Sequence, residues 1–183
     1  MIIGITGSFG AGKGAVVEYL TQTKDFQHFS ASGFITEEIM RRELPVNRDS
    51  MILVANDLRA NFGPGYIIDS LFERAKAKGG NVIIESLRAV AEVRRIKELG
   101  GIVIGIDSLP EIRYERSIGR NSVKDNVTYE KWLAQELTES NESDPNKQNI
   151  FGSLNESSVI FSNNASLQEL YAQIDSFLTR VNH

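Results

Sequence analysis

The chain contains no cysteine. That excludes a disulfide framework, a thiolate zinc site and a cysteine nucleophile. Histidine is nearly absent too, and neither His28 nor His183 has a recognisable partner in the sequence. Positive charge is in slight deficit: 20 Lys and Arg against 24 Asp and Glu leave a formal net charge of −4, so no broad basic field advertises a nucleic-acid partner. No apolar run approaches the length of a membrane span. Met1-Ile2-Ile3-Gly4-Ile5 is too short for a signal core and has no basic residue ahead of it. The expectation is a cytoplasmic protein with neither a nucleic-acid nor a membrane partner.

What is present suits one domain spanning residues 1–183, and 41% hydrophobic residues suffice for one sizeable core. Short β-branched runs alternate with segments of helical period. Ile2 to Thr6, Val82-Ile83-Ile84, Ile102 to Ile106 and Ser158 to Phe161 read as buried strands, and Phe26 to Ser30 as a weaker fifth. Met51, Val54, Ala55, Leu58 and Phe62 share one helical face, and so do Leu167, Leu170, Tyr171, Ile174 and Leu178. Gly63-Pro64-Gly65 breaks the chain before a helix from Tyr66 to Lys78, and Pro110 opens another. Strands apolar on both faces, alternating with helices, predict a three-layer α/β/α fold around a five-stranded parallel sheet. Asn121 to Asn149 departs from this rhythm. It is polar, with one amphipathic helix around Trp132, and reads as a mobile insertion.

"GSFGAGKGAV", residues 7 to 16, follows the first strand and opens a helix. Its glycines let successive N–H groups turn inward around phosphate oxygens, and the helix N-terminus adds its own free N–H groups and positive end. Gly7, Ser8, Phe9, Gly10, Ala11, Gly12, Lys13, Gly14 and Ala15 are therefore the expected nucleotide-binding residues, with Lys13 on the outer phosphates. Gly14 stands where the general pattern has a magnesium-binding hydroxyl, and Ala15 supplies none either.

Glycine in that place resembles the loop of nucleoside monophosphate kinases of the adenylate kinase branch. That family holds magnesium largely through water. The resemblance covers most of the chain and implies ATP and magnesium as cofactors and nucleotides as substrates, with a monomer or small homo-oligomer adequate for the chemistry. It places the acceptor in about 30–78. There Ser32 and Gly33 match a turn, and Arg41 or Arg42 matches an arginine that holds the acceptor phosphate. Arg59, on the polar side of its helix, is a further candidate. The polar tract of about 121–149 takes the lid position, with Arg120, Lys124 and Lys147 as its cations and Glu136 to Asp144 as a solvated acidic stretch.

Two further stretches carry chemistry. In "NVIIESLRAVAEV" the polar side chains follow a buried strand, at the edge where open α/β sheets bind ligands. Glu85 is placed to organise magnesium or its waters, and Arg88 to hold an acceptor phosphate. An ordinary salt bridge to Glu85 is the competing reading. In "LPEIRYERSIGR", Arg113, Arg116 and Arg120 share one helical face. Converging guanidinium groups are what in-line phosphoryl transfer needs, so Lys13, Arg88, Arg116 and Arg120 are the expected catalytic set. The leading expectation is ATP-dependent phosphorylation of a (deoxy)nucleoside monophosphate. A dephospho-coenzyme A kinase and a non-transferring ATP- or GTP-binding regulatory module are the alternatives.

Overall fold

The computed structural model describes residues 1–118, 128–140, 144 and 146–181. In chain order the elements are β1 (Ile2–Gly7), α1 (Lys13–Thr23), β2 (Phe26–Ser30), α2 (Ala31–Arg41), α3 (Arg48–Phe62), α4 (Tyr66–Lys78), β3 (Asn81–Leu87), α5 (Val90–Glu98), β4 (Ile102–Asp107), α6 (Pro110–Ile118), α7 (Tyr129–Ser140), α8 (Ile150–Asn155), β5 (Val159–Ser162) and α9 (Leu167–Val181). The strands form one five-stranded sheet in the order β2-β3-β1-β4-β5. Every pairing is parallel.

Parallel strands need crossovers, and the helices that supply them cover both faces. On one face α2, α3, α4 and α5 bury Ile35, Val54, Leu58, Ile67, Leu71, Val93 and Ile96 over Val82 and Ile84. On the other, α1 and α9 bury Val16, Leu20, Leu170, Ile174 and Phe177 over Ile3, Ile5, Ile83, Ile104 and Ile106. Val82-Ile83-Ile84 therefore alternates between two cores, because successive strand residues point to opposite faces. A continuous apolar run is what such a strand requires. All five strands expected from the sequence are present, as are the helices around Met51 to Phe62, Tyr66 to Lys78 and Leu167 to Leu178. No helix among the described residues is long and apolar enough to cross a membrane.

Two local expectations are corrected. Ser32 and Gly33 do not form a turn; they lie in the first turn of α2. Ser30 ends β2 and caps that helix, its Oγ accepting from Gly33 N at 3.1 Å, so helix starts where strand stops. The 121–149 tract is also less separate than its composition suggests. Trp132 is buried, packing edge-to-face against Tyr114 of α6 with ring centroids 5.8 Å apart. Glu136, expected in solvent, is half-buried, with its side chain 8% exposed in an ion pair with Arg113. Thus α7 is docked on α6 by an aromatic cluster and a charge pair. Arg120 and Lys124, and with them much of the expected lid, lie outside the described residues.

Candidate functional site

The loop between β1 and α1 depends on three glycines with positive φ: Gly7 at 147°, Gly10 at 78° and Gly12 at 99°. Space forbids a side chain there as well. A Cβ on Gly7 would lie 2.2 Å from the Ile106 carbonyl oxygen, and one on Gly10 2.6 Å from that of Arg113. The loop is thus pressed against the end of β4 and the first turns of α6. Lys13 reaches back over it, Nζ donating to the carbonyls of Gly7 at 2.8 Å and Ser8 at 2.9 Å. Its ammonium therefore stands at the loop's mouth. Gly14 is different: no atom lies within 4 Å of a Cβ built there, so its small size answers no packing demand.

Glu85 sits beside this loop by sheet register. It pairs with Ile5 of β1 on one side and Ser30 of β2 on the other. The register then slips, Thr6 pairing with Leu87, and Ser86 is left over with φ 67°. A non-glycine residue in that region is uncommon, and such bulges re-aim side chains at sheet ends. Ser30 Oγ donates to Glu85 Oε1 at 2.6 Å and Ser86 Oγ to Oε2 at 2.5 Å. Ser32 Oγ lies 2.9 Å from Ser30 Oγ, and His28 Nε2 3.6 Å from Glu85 Oε1. Burial pushes the Glu85 carboxyl up, but hydrogen bonds from His28, Ser30 and Ser86 outweigh it and hold the group at about 2.

That depression has a consequence for stability. The folded chain binds this proton more weakly than the unfolded chain, whose carboxyl sits near its ordinary 4.5. The contribution is fully present above that pH and is lost as pH falls towards about 2. Thermal melts from pH 7 to pH 2 are expected to show a smaller acid-side loss for Glu85→Gln than for the unaltered chain. Equal losses would mean the carboxylate is not held as described.

The expected arginines divide into two groups. Arg41 and Arg42 both engage Glu38, at 2.6 Å in each case, and Arg42 also meets Asp57 at 2.7 Å. Their pull holds the Glu38 carboxyl at about 2. Arg59 is not on the polar side of its helix. It is 2% exposed and forms a buried pair with Glu92, Nη2 to Oε1 at 2.7 Å. Arg88 and Arg116 remain at the sheet's carboxyl edge. Arg88 is held at its main chain, its N–H donating to Glu92 Oε2 and its carbonyl accepting from Asn149 N, both at 2.8 Å. Arg116 Nη2 donates to the Asn163 carbonyl at 3.0 Å.

Three residues of this region escape a reading of the sequence. Glu92 looks like one more charge on an exposed helix, yet it is fully buried. His28 finds its partner, Glu85, only across the sheet. Asn163 follows β5 and bonds the phosphate loop, Nδ2 to the Ala11 carbonyl at 2.9 Å. The rule that singles out Glu85, a polar residue at a strand's carboxyl end, applies equally to Asn163.

Comparison with known proteins agrees with this geometry. A family model described as an AAA domain matches residues 3–144. The chain belongs to that family. It also belongs with the UPF0200 proteins. It is 30% identical to the one from Methanococcus maripaludis over 144 residues, which cover 76% of this chain and 78% of that protein. The Thermococcus kodakarensis UPF0200 protein is 24% identical over 188 residues, covering 99% and 98%. Among solved structures, a Thermus thermophilus protein superposes with a TM-score of 0.67 at 16% identity, covering 98% of this chain and 97% of that one. Shikimate kinase from Bacteroides thetaiotaomicron gives 0.60 at 11% identity, covering 100% and 99%. These likenesses show the three-layer α/β/α fold of phosphate-loop kinases.

The family's loop fits a polyphosphate: three glycines free its N–H groups, and Lys13 supplies the charge. It fits a magnesium ion only in part. Gly14 and Ala15 offer no hydroxyl, and no group of three His, Asp or Glu among the described residues is arranged to hold a metal. The donor set therefore suits an ion carried mainly by phosphate oxygens and water, with Glu85 as the neighbouring carboxylate.

Proposed function

We propose that this protein transfers the γ-phosphoryl group of ATP to a (deoxy)nucleoside monophosphate, giving the diphosphate. The observation that carries the reading is the Lys13 ammonium on the Gly7 and Ser8 carbonyls, at the carboxyl edge of a parallel sheet. Magnesium, carried in with ATP, neutralises charge on the phosphates. Lys13 draws on the outer phosphates, Arg88 holds the acceptor phosphate, and Arg116 with Arg120 balances charge on the transferred group. An acceptor phosphate oxygen is already anionic, so no general base is required; alignment and electrostatics carry the reaction. Ser32 and Gly33, both hydrogen-bonded to Ser30 Oγ at the start of α2, serve the acceptor.

A second reading is favoured by one observation. Arg41, Arg42 and Arg59 are engaged by carboxylates, whereas Glu85 is an ionised carboxylate among Ser30, Ser86 and His28. A carboxylate held at about 2 is a weak base, so its part would be to accept a hydrogen bond from an attacking hydroxyl and orient it. The acceptor would then be an alcohol, as in dephospho-coenzyme A. Shikimate kinase, a structural neighbour, bears a name of that kind.

ADP formation from ATP and magnesium should be measured against ribo- and deoxynucleoside monophosphates and dephospho-coenzyme A. Strong stimulation by one nucleoside monophosphate is the expected result. Stimulation by dephospho-coenzyme A alone would transfer the assignment to the second reading. ATP binding with slow turnover that no acceptor alters would mark a regulatory module.

A further inference from the structure

Asn163 is the first residue after β5, and it is 3% exposed. Its side-chain Nδ2 donates to the Ala11 carbonyl of the phosphate loop at 2.9 Å. The reverse orientation of the amide would set oxygen against oxygen, so the hydrogen-bond network fixes which end faces the loop. Its main chain is equally engaged. The N–H donates to the Asp107 carbonyl at 2.8 Å, and the carbonyl accepts from Ser108 Oγ at 2.9 Å and Arg116 Nη2 at 3.0 Å. One residue therefore touches the loop, the end of β4, the turn into α6 and an arginine of the expected transfer set.

Two independent observations single out this junction. A Cβ on Gly12 would stand 2.1 Å from Asn163 Nδ2, so the loop closes directly onto the amide. Asn163 Oδ1, at this junction, and Ser8 Oγ, in the loop, are also the buried side-chain polar atoms without a hydrogen-bond partner among the described residues. Buried polar atoms are ordinarily satisfied, and exceptions concentrate where function demands them.

We infer that Asn163 is a positioning residue of the nucleotide site. Its amide fixes the Ala11 carbonyl and its main-chain carbonyl fixes Arg116, so that loop and arginine meet a polyphosphate in one register. The physical reason is electrostatic. Loop N–H groups converge on a phosphate only when the intervening carbonyls are turned elsewhere, since a carbonyl oxygen and a phosphate oxygen repel. Asn163 gives the Ala11 carbonyl another partner. The inference rests on the reading of this loop as an ATP site.

The test is calorimetric titration of the full chain with ATP and magnesium, for the unaltered protein, N163A and N163D, beside nucleotide-free thermal melts. N163A is expected to weaken ATP binding about tenfold, the equivalent of one hydrogen bond. N163D, nearly isosteric, is expected to weaken it further, because a carboxylate places an acceptor against the Ala11 carbonyl and a negative charge beside the phosphates. The KM of the acceptor should move less than about twofold. A lowered melting temperature with unchanged ATP affinity would leave Asn163 a purely structural residue and overturn the inference alone. No ATP binding by the unaltered chain would overturn the reading of the loop as well. Should the variants not fold, side-chain amide resonances of Asn163 in ¹⁵N-labelled unaltered protein provide the measurement. A change in their shift and exchange rate on ATP addition supports the inference, and no change overturns it.

Discussion

Glu92→Ala is expected to lower the free energy of unfolding by about 3–5 kcal/mol, the usual consequence of removing one partner of a buried ion pair. Arg59 and Glu92 are 2% and 0% exposed. Glu92 Oε1 accepts from Arg59 Nε at 3.0 Å and Nη2 at 2.7 Å. Its Oε2 accepts from the N–H groups of Arg88 at 2.8 Å and Ala89 at 3.2 Å, at the start of α5. Truncation would leave a guanidinium charge without its counterion in the interior and two helix-entry donors unmet. In a domain of this size the melting temperature should fall by about 10 °C. Urea denaturation of Glu92→Ala beside the apolar pair Arg59→Met with Glu92→Leu provides the check. The pair should recover the share of the loss that comes from the orphaned charge, while the Arg88 and Ala89 N–H groups stay unmet. A loss below about 1 kcal/mol for Glu92→Ala would mean that water reaches the pair. Because the same carboxylate holds the Arg88 main chain, the variant should also raise the KM of the acceptor more than that of ATP.

Lys13→Ala is expected to reduce acceptor-dependent ADP formation by about 100-fold or more, in line with the loss of one preorganised charge from a transfer site. Nζ also donates to the Gly7 and Ser8 carbonyls, so any effect on folding must be read apart from the effect on rate. A steady-state assay with saturating acceptor, paired with a thermal melt, separates the two effects. Lys13→Arg should not restore full rate, since a planar fork cannot occupy the place of a compact ammonium. Undiminished turnover in Lys13→Ala would remove the loop from the chemistry.

The sequence by itself determined the sheet and the loop. Ile2 to Thr6, Val82 to Ile84 and Ile102 to Ile106 are unbroken β-branched runs, and only strands covered on both faces sustain such runs. The glycines at 7, 10 and 12 declare a backbone that no other residue adopts easily, and Lys13 follows at the helix start. These signals are local, so periodicity and spacing expose them. What only the tertiary structure decided is which charges are free to act. Arg59 is periodic with the polar side of α3, yet it is buried because the start of α5 brings Glu92 against it. Arg113 shares a face with Arg116, yet Glu136 of α7 claims it while Arg116 stays beside Asn163. A guanidinium group looks the same in sequence whether it faces substrate or a carboxylate from 33 residues away, the separation of Arg59 and Glu92. Its role depends on through-space pairing, and through-space pairing is fixed only when the helices pack.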